Sequence, residues 1–204
     1  MPLLPYAAML MENAGIMGNP ALEGKDFDLQ IAQLGAAVSY GCNDSYFYIS
    51  ISGEDENMNK IMNLVNRQLL MPYLEQKQLD ALKGNEFFSR YSRQKRTAVQ
   101  KSALMQYALY GKKSAYLDEV KFIDIWNMDG VQVQRLIASA RTYALDVFYC
   151  GTLPEDKLVP ELPLTEGMQP SKSPFVQDRV TYDKPTVLFL PNSNVQQADL
   201  YFYI

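Results

Sequence analysis

The chain has 204 residues, of which 48% are hydrophobic and 21% are charged, and its formal net charge is −4 at pH 7. This length and composition are typical of a globular protein that can bury a core. The acidic balance argues against a general nucleic-acid binder, which would need a basic face. Because the sequence has no histidine, it cannot supply the imidazole ligands on which most catalytic zinc sites depend.

No targeting or membrane segment is evident in the sequence. It has no run of about 18 apolar residues, so no membrane span is predicted. The N-terminus lacks the basic start and small-residue cleavage site of a signal peptide. A soluble protein is therefore expected, with cytoplasm and periplasm both left open. Because the sequence starts on an apolar helix and stops inside a strand signal, we expect a fragment of a longer protein.

The first 53 residues predict two helices followed by a β-hairpin. Apolar residues predict a buried helix over residues 3–13, and a second helix over residues 21–34 with Gly35 just past its end. The period then changes to two. Residues 36–41 and 45–53 are rich in strand formers and are separated by the Asn43-Asp44 turn signal. Tyr46, Tyr48, Ser50 and Ser52 should share one face of this hairpin, opposite Phe47, Ile49 and Ile51.

The middle of the chain predicts helices. The first runs from a cap at Asp55 or Asn57 to about Leu70, with an apolar stripe. Two further helices are expected between the turn signals at Pro72 and Gly111, and two shorter ones after Gly111. Their ranges are residues 74–96, 98–109, 118–127 and 129–140.

The last 60 residues predict a strand, a connector and two more strands. Residues 144–151 are rich in strand formers and are expected to join the hairpin's sheet, and Pro154 should open a short helix. Residues 160–185 have little periodicity and read as a connector. Strand signals follow at residues 186–190 and 198–204. The connector's five prolines each fix φ and remove a hydrogen-bond donor; they are Pro160, Pro163, Pro170, Pro174 and Pro185.

Mixed helices and strands with one clear antiparallel hairpin indicate an α+β fold, with a mainly antiparallel sheet and helices packed on one face. We expect three parts: residues 1–159 as one α+β unit, incomplete at its N-terminus, residues 160–185 as the connector, and residues 186–204 as the opening strands of a second unit.

Five short motifs follow one another along the chain. They are LMENAG at residues 10–15, LGA at 34–36 followed by SGEDEN at 52–57, YALYG at 107–111, DVFYCG at 146–151 and QQADL at 196–200. In this order they resemble one repeat unit of the pitrilysin/insulinase family of zinc metallopeptidases, and the similarity extends over residues 3–203.

The resemblance also implies where the family's catalytic residues would stand. Active units carry His-x-x-Glu-His about nine residues ahead of the glycine turn, and here Tyr6, Met9 and Leu10 fall at those places. A third zinc ligand, a glutamate about 76 residues on, would fall near Glu86. One carboxylate does not make a zinc site. We therefore assign no catalytic and no metal-binding residue, and expect Glu86 to have a structural or solvated role.

The resemblance thus implies a non-catalytic unit from the C-terminal half of a bacterial zinc metallopeptidase, inactive alone. Its partners would be a catalytic half that carries zinc, or a partner subunit, and a peptide substrate. Tyr46, Tyr48 and Ser50 could line the substrate chamber, since tyrosine offers contact area and a hydroxyl, although ordinary strand packing explains them as well. Two alternatives stay open: an assembly or core subunit of the same fold without peptidase function, and an unrelated α+β binding module.

Two other groups of residues were weighed as sites. The cations between residues 90 and 101 could hold an anion, but their helical spacing favours a solvated face. The cysteines Cys42 and Cys150 are expected to be independent buried thiols. Neither has the histidine base that a nucleophilic cysteine requires. The cations are Arg90, Arg93, Lys95, Arg96 and Lys101.

Overall fold

A computed structural model describes residues 1–43, 46–158, 178–191 and 198–202. The fold is α+β, as the sequence predicted, and every helix predicted from the sequence has a counterpart. No helix of the described residues combines the length and the apolar character needed to cross a membrane. The helices are α1 (Leu4–Met11), α2 (Gly24–Gln33), α3 (Met58–Leu70), α4 (Gln76–Gln94), α5 (Thr97–Tyr110), α6 (Phe122–Trp126), α7 (Gly130–Ala140) and α8 (Glu155–Leu158).

Local sequence signals explain several helix boundaries. Gly35 adopts a φ of +67° just beyond α2, a conformation that costs glycine little and other residues more. Asp129 caps α7, because its side chain accepts a hydrogen bond of 2.7 Å from the amide of Gln132. Such a cap satisfies one of the amide groups that the first turn of a helix leaves without a partner.

The described strands form two small antiparallel sheets. β2 (Ala37–Cys42) and β3 (Phe47–Ser52) form the predicted hairpin, with Ser39 opposite Ser50 and Gly41 opposite Tyr48. β1 (Gly15–Ile16) pairs with β4 (Pro72–Tyr73). This second pair was not predicted, since two-residue strands give no periodic signal.

The hairpin has one face on the helices and one face in solvent. On the inner face, Val38, Phe47, Ile49 and Ile51 pack against the main core. The described residues on the outer face are exposed, except for Gly41, which is half-buried. The main core is made mainly by apolar side chains from five helices (α1, α2, α3, α4 and α7) and from β1 and β2. Its fully buried members include Ala7, Met11, Ile61, Val133 and Ile137.

The chain divides into two compact units, which are described separately. The first contains Met1–Arg90 and the described part of Val120–Phe175, and the second contains Tyr91–Glu119 and the described part of Val176–Ile204. The first unit holds both sheets and the main core. The predicted boundaries at residues 159 and 185 concern repeat units and remain a prediction.

In the second unit, a returning segment covers the end of α5. The amide of Val180 donates to the Leu109 carbonyl at 2.8 Å, and the Tyr182 hydroxyl donates to the Ala108 carbonyl at 2.8 Å. Lys101 forms an ion pair with Asp199. The last carbonyls of a helix have no partner within the helix, so the hydrogen bonds from Val180 and Tyr182 complete the C-terminal turn of α5.

The strand predicted at residues 144–151 is absent, because the described residues there belong to no sheet. Instead, side chains near the segment's end hold it to the start of α3. The Asp55 carboxylate accepts hydrogen bonds from the Tyr149 hydroxyl (2.8 Å), the Thr152 amide (2.7 Å) and the Thr152 hydroxyl (2.5 Å). The Leu153 amide donates to the Tyr149 hydroxyl at 3.0 Å. We call these four residues the Asp55 clasp. Local bonds of this kind offer the backbone an alternative to a strand ladder.

The clasp closes over a small apolar cluster. Met58 and Met62 are buried beneath Tyr149 and Leu153. At Gly151 an added Cβ would lie 2.1 Å from the Tyr149 hydroxyl oxygen, so only glycine fits there. The hydrogen bonds from Thr152 and then Tyr149 lower the pKa of Asp55 below its usual value. The carboxylate therefore keeps its charge, and the clasp stays closed, at neutral pH.

We expect Asp55→Ala to open the clasp while the main core stays folded. The amides of Thr152 and Leu153 should then exchange with solvent faster in a hydrogen-exchange measurement, and the amides of α7 should keep their protection. Glu56→Ala, an exposed acidic neighbour, is the matched control. In the wild type the same opening should occur as the pH falls below the usual aspartate pKa of about 3.9, because protonation removes the acceptor charge. Unchanged exchange at Thr152 in Asp55→Ala would contradict the clasp.

The C-terminal strand signals also have no counterpart in the described residues. Residues 186–191 and 198–202 belong to no sheet there, and large side chains such as Val187, Phe189 and Phe202 are more than four-fifths exposed. Strand-forming sequence alone does not make a strand without a pairing edge. The connector predicted at residues 160–185 lies outside the described residues up to residue 177, and residues 178–185 have no helix or strand.

Candidate functional site

The outer face of the hairpin is the first candidate site. Tyr46 and Tyr48 are 54% and 52% exposed, and Ser50 is exposed beside them. The period-two prediction is thus confirmed: these three residues share the solvent face, opposite the apolar residues that pack on the helices. Whether they line a substrate chamber remains a prediction.

The ring of Tyr48 stands above the rest of this face. Its ring lies directly across Gly41 of the neighbouring strand, where an added Cβ would come within 2.2 Å of the ring. An aromatic ring over a cross-strand glycine restores packing that the glycine lacks. The next two cross-strand pairs, Ser39 with Ser50 and Ala37 with Ser52, carry small side chains. Within the two strands as the structure describes them, the result is a surface of uncharged residues, with the Tyr48 ring raised above a floor of small side chains.

The second candidate site joins α1 to α4, and it contains two of the residues aligned with catalytic positions. The Tyr6 hydroxyl donates to Glu86 Oε1 at 3.3 Å, although the two residues are 80 positions apart. Arg90, one turn further along α4, donates from Nε to the same oxygen at 2.6 Å and from Nη2 to the Tyr6 hydroxyl at 3.3 Å. Tyr6, Glu86 and Arg90 thus form a cluster in which each side chain contacts the other two.

Burial and charge define this cluster. The side chains of Glu86 and Arg90 are 18% and 16% exposed, so their charges are only partly solvated. Burial is the main cause that raises the pKa of the Tyr6 hydroxyl, and Glu86 adds to it, whereas hydrogen bonding from Arg90 acts in the opposite direction. Tyr6 therefore remains a neutral phenol that both donates and accepts a hydrogen bond.

The cluster does not suit a zinc ion. Zinc in proteins takes three or four nitrogen, sulfur or oxygen ligands, and only the Glu86 carboxylate could serve here, with an arginine already bound to it. Met9 is 60% exposed, and Leu10 is buried in the core. Among the described residues, no group of three or more histidine, cysteine, aspartate or glutamate side chains is arranged to hold a metal.

Sequence reasoning brought Tyr6 and Glu86 to attention only through the family spacing, and it missed Arg90 as their partner. The signal was present, because Glu86 and Arg90 are four residues apart on one helix, the spacing of a helical ion pair. Glu86 was expected to have a structural or solvated role, and its side chain is 18% exposed and bonded to Tyr6 and Arg90.

The other weighed residues do not form a site together. In the second unit, Arg93 pairs with Glu119 at 2.5 Å, and Lys95 lies 4.1 Å from the centre of the Tyr91 ring. These cations therefore already contact residues of their own unit. Cys42 is half-buried and Cys150 is exposed, without a disulfide between them. The prediction of a buried thiol is thus wrong for Cys150, because the segment that carries it lies outside the sheet.

Comparison with known proteins supports the fold. No protein-family model matches the sequence, and no curated protein matches it. Among solved structures, the chain is similar to a variant of the ferredoxin protease FusC, a pitrilysin-family peptidase, solved in complex with Arabidopsis ferredoxin. The TM-score is 0.71 at 9% sequence identity, over 87% of this chain and 20% of that protease. The chain therefore has the fold of a part of that protease and spans about one fifth of its length.

Proposed function

We propose that this chain is a non-catalytic unit of a pitrilysin-type zinc metallopeptidase. It would form part of the substrate chamber and pack against a catalytic half that carries the zinc. One observation carries the proposal: in a fold similar to part of such a protease, two of the three residues placed at zinc-ligand positions, Tyr6 and Glu86, lie in contact, but as a hydrogen-bonded cluster with Arg90.

The outer face of the hairpin is the proposed chamber wall. An extended peptide needs a surface that its backbone can approach closely, and the small side chains at Ser39, Ser50 and Ser52 permit that approach. Tyr48 would offer its ring to an apolar side chain of the peptide and its hydroxyl to the peptide backbone. The described residues of this face carry no charge, which suits a chamber that accepts peptides of varied sequence, and the ferredoxin complex of FusC agrees with a peptide or small-protein substrate.

We expect the isolated chain to bind an unstructured peptide weakly and not to cleave it, with or without added zinc. Fluorescence anisotropy of a labelled peptide measures the binding, and mass spectrometry measures the cleavage. Removal of the ring by Tyr48→Ala should weaken binding by roughly 10-fold, as is usual for loss of an aromatic anchor. Ser50→Lys should also weaken it, because the longer side chain would block the floor.

Leu29→Ala is the matched control, since Leu29 is a large residue on α2 that is 56% exposed. It should leave the peptide affinity unchanged. Equal effects of Leu29→Ala and Tyr48→Ala, or no measurable affinity at all, would remove the chamber-wall assignment. A chain that binds no peptide but forms a stable complex with a partner subunit would instead be the assembly or core subunit. Zinc-dependent cleavage by the chain alone would contradict the proposal as a whole.

A further inference from the structure

The Tyr6–Glu86–Arg90 cluster links two helices that are distant in the sequence. α1 and α4 are separated by α2, the hairpin and α3, and the cluster joins them by polar contacts. Each member contacts the other two: Tyr6 donates to Glu86, Arg90 donates to Glu86, and Arg90 donates to Tyr6. Loss of any one side chain therefore removes two of the three contacts.

The Glu86 carboxylate is stable in this partly buried position only because the Arg90 guanidinium neutralises it. A partly buried carboxylate without a cation keeps little of its hydration and is strongly destabilising. Arg90 supplies that cation permanently, because a guanidinium keeps its proton at all accessible pH values. It also offers several N–H groups in one plane, and here two of them reach two different partners. A metal ion would supply the same two things, positive charge and bonds to both helices.

We propose that Arg90 is the structural cation of this unit, joining α1 to α4 through Tyr6 and Glu86 in place of a metal ion. This inference rests on the proposed function only for the comparison with zinc-bearing units. The contacts themselves stand on the geometry of this chain. The cation is a side chain of the protein itself, so a chelator cannot remove it and added zinc should not replace it.

The test compares melting temperatures of variants of the full chain. Arg90→Gln should lower the melting temperature by about 5 °C, because it leaves Glu86 without its cation. Glu86→Gln should lower it by a similar amount. In the double variant, the loss should be clearly smaller than the sum of the two single losses, since no unpaired charge remains. Arg90→Lys, which keeps the charge and loses the planar fork, should restore part of the stability.

The Arg93–Glu119 pair is the matched control. It has the same residue types and begins on the same helix, but its side chains are about one third exposed. Arg93→Gln should therefore shift the melting temperature by less than about 2 °C. If Arg90→Gln does not fold, Tyr6→Phe is the milder test, because it breaks the link between the helices and keeps the ion pair. Its expected loss is about 2 °C.

Metal dependence is the second readout. The wild-type melting temperature should not change on addition of a chelator or of stoichiometric zinc, and elemental analysis after dialysis should find no bound zinc. Stabilisation of the wild type by zinc, additive losses in the double variant, or an unchanged melting temperature in Tyr6→Phe would each overturn the assignment. These outcomes are independent of peptide binding at Tyr48, so this inference and the proposed function can fail separately.

Discussion

Replacement of Gln68 by alanine is expected to lower the free energy of unfolding by about 3 kcal/mol. Gln68 lies on α3 with only 1% of its surface exposed. Its Nε2 donates to the Ala14 carbonyl at 2.6 Å and to the Met11 carbonyl at 3.5 Å, and its Oε1 accepts from the Tyr40 hydroxyl. One side chain therefore connects α3 to the end of α1 and to the hairpin.

The expected loss has two physical causes. Alanine leaves the Ala14 carbonyl and the Tyr40 hydroxyl buried without this partner, and a buried polar group that loses its partner costs about 1–3 kcal/mol. Alanine also leaves a cavity where the glutamine stem packed. Gln68→Leu fills most of that volume, so its expected loss of about 2 kcal/mol isolates the lost hydrogen bonds.

Urea denaturation followed by circular dichroism measures the effect, with an unchanged m-value as the sign that only stability has changed. Asn63→Ala is the matched control, because Asn63 is an exposed carboxamide on the same helix. Its effect should stay within about 0.5 kcal/mol. A Gln68→Ala variant as stable as Asn63→Ala would show that the buried network contributes nothing to the fold.

Gln68 also illustrates what the sequence could predict. The apolar stripe of α3 was correctly assigned, and Ile61, Val65 and Leu69 are each no more than 2% exposed. Gln68 lies beside that stripe, and its burial is favourable only because distant carbonyls accept hydrogen bonds from it. Periodicity reports which face of a helix is apolar, but it does not report a polar group whose partners are 54 and 57 positions away.

Of the strand predictions, the hairpin was correct and the strand at residues 144–151 was wrong. The hairpin could be predicted because its two strands are adjacent in sequence and one face is apolar throughout. Residues 144–151 have equally strong strand propensity, yet a strand exists only where an edge pairs with it, and propensity in sheets depends on that context. In this chain the Asp55 carboxylate holds the end of the segment through side-chain contacts 94 and 97 positions apart.

For the candidate sites, the residues could be named from the sequence, but the contacts between them could not. The alternation of residues 46–52 predicted which side chains reach solvent, and the structure agrees. The shape of that face depends on the Tyr48 ring lying over Gly41, and this contact follows only from the strand register, which pairs these two residues. The family spacing drew attention to Tyr6 and Glu86 without predicting that they touch, and the contacts of Tyr6 with Glu86 and Arg90 depend on the packing of α1 against α4.

Stability is expected to fall as the pH rises above about 10, and the Tyr40 hydroxyl is expected to account for part of the fall. Tyr40 is 7% exposed, and burial is the main cause that raises its pKa well above the usual value. The carboxylates of Glu12 and Asp28 raise it further. Deprotonation would also remove the hydrogen bond to Gln68, so the folded protein keeps this proton.

The direction of this pH dependence follows from the protonation of Tyr40 in the folded and unfolded states. In the unfolded chain the Tyr40 hydroxyl loses its proton near pH 10, whereas in the folded chain it keeps the proton to higher pH. Above pH 10 the unfolded state therefore binds fewer protons than the folded state, and alkali favours unfolding. For one such group the loss approaches about 1.4 kcal/mol per pH unit until the folded pKa is reached.

The chain has 14 tyrosines, so the contribution of Tyr40 must be read as a difference between variants. At pH 8, Tyr40→Phe should be less stable than the wild type by about 1–3 kcal/mol, because Gln68 Oε1 loses its donor. Between pH 10 and 11 the two stability curves should converge, since the variant lacks the group that penalises the folded state. The stability curve of Tyr48→Phe, a change on the exposed face of the hairpin, should stay parallel to that of the wild type. Urea titrations at half-unit pH intervals provide the curves, and a Tyr40→Phe curve that also stays parallel would mean that the Tyr40 proton does not contribute to alkaline unfolding.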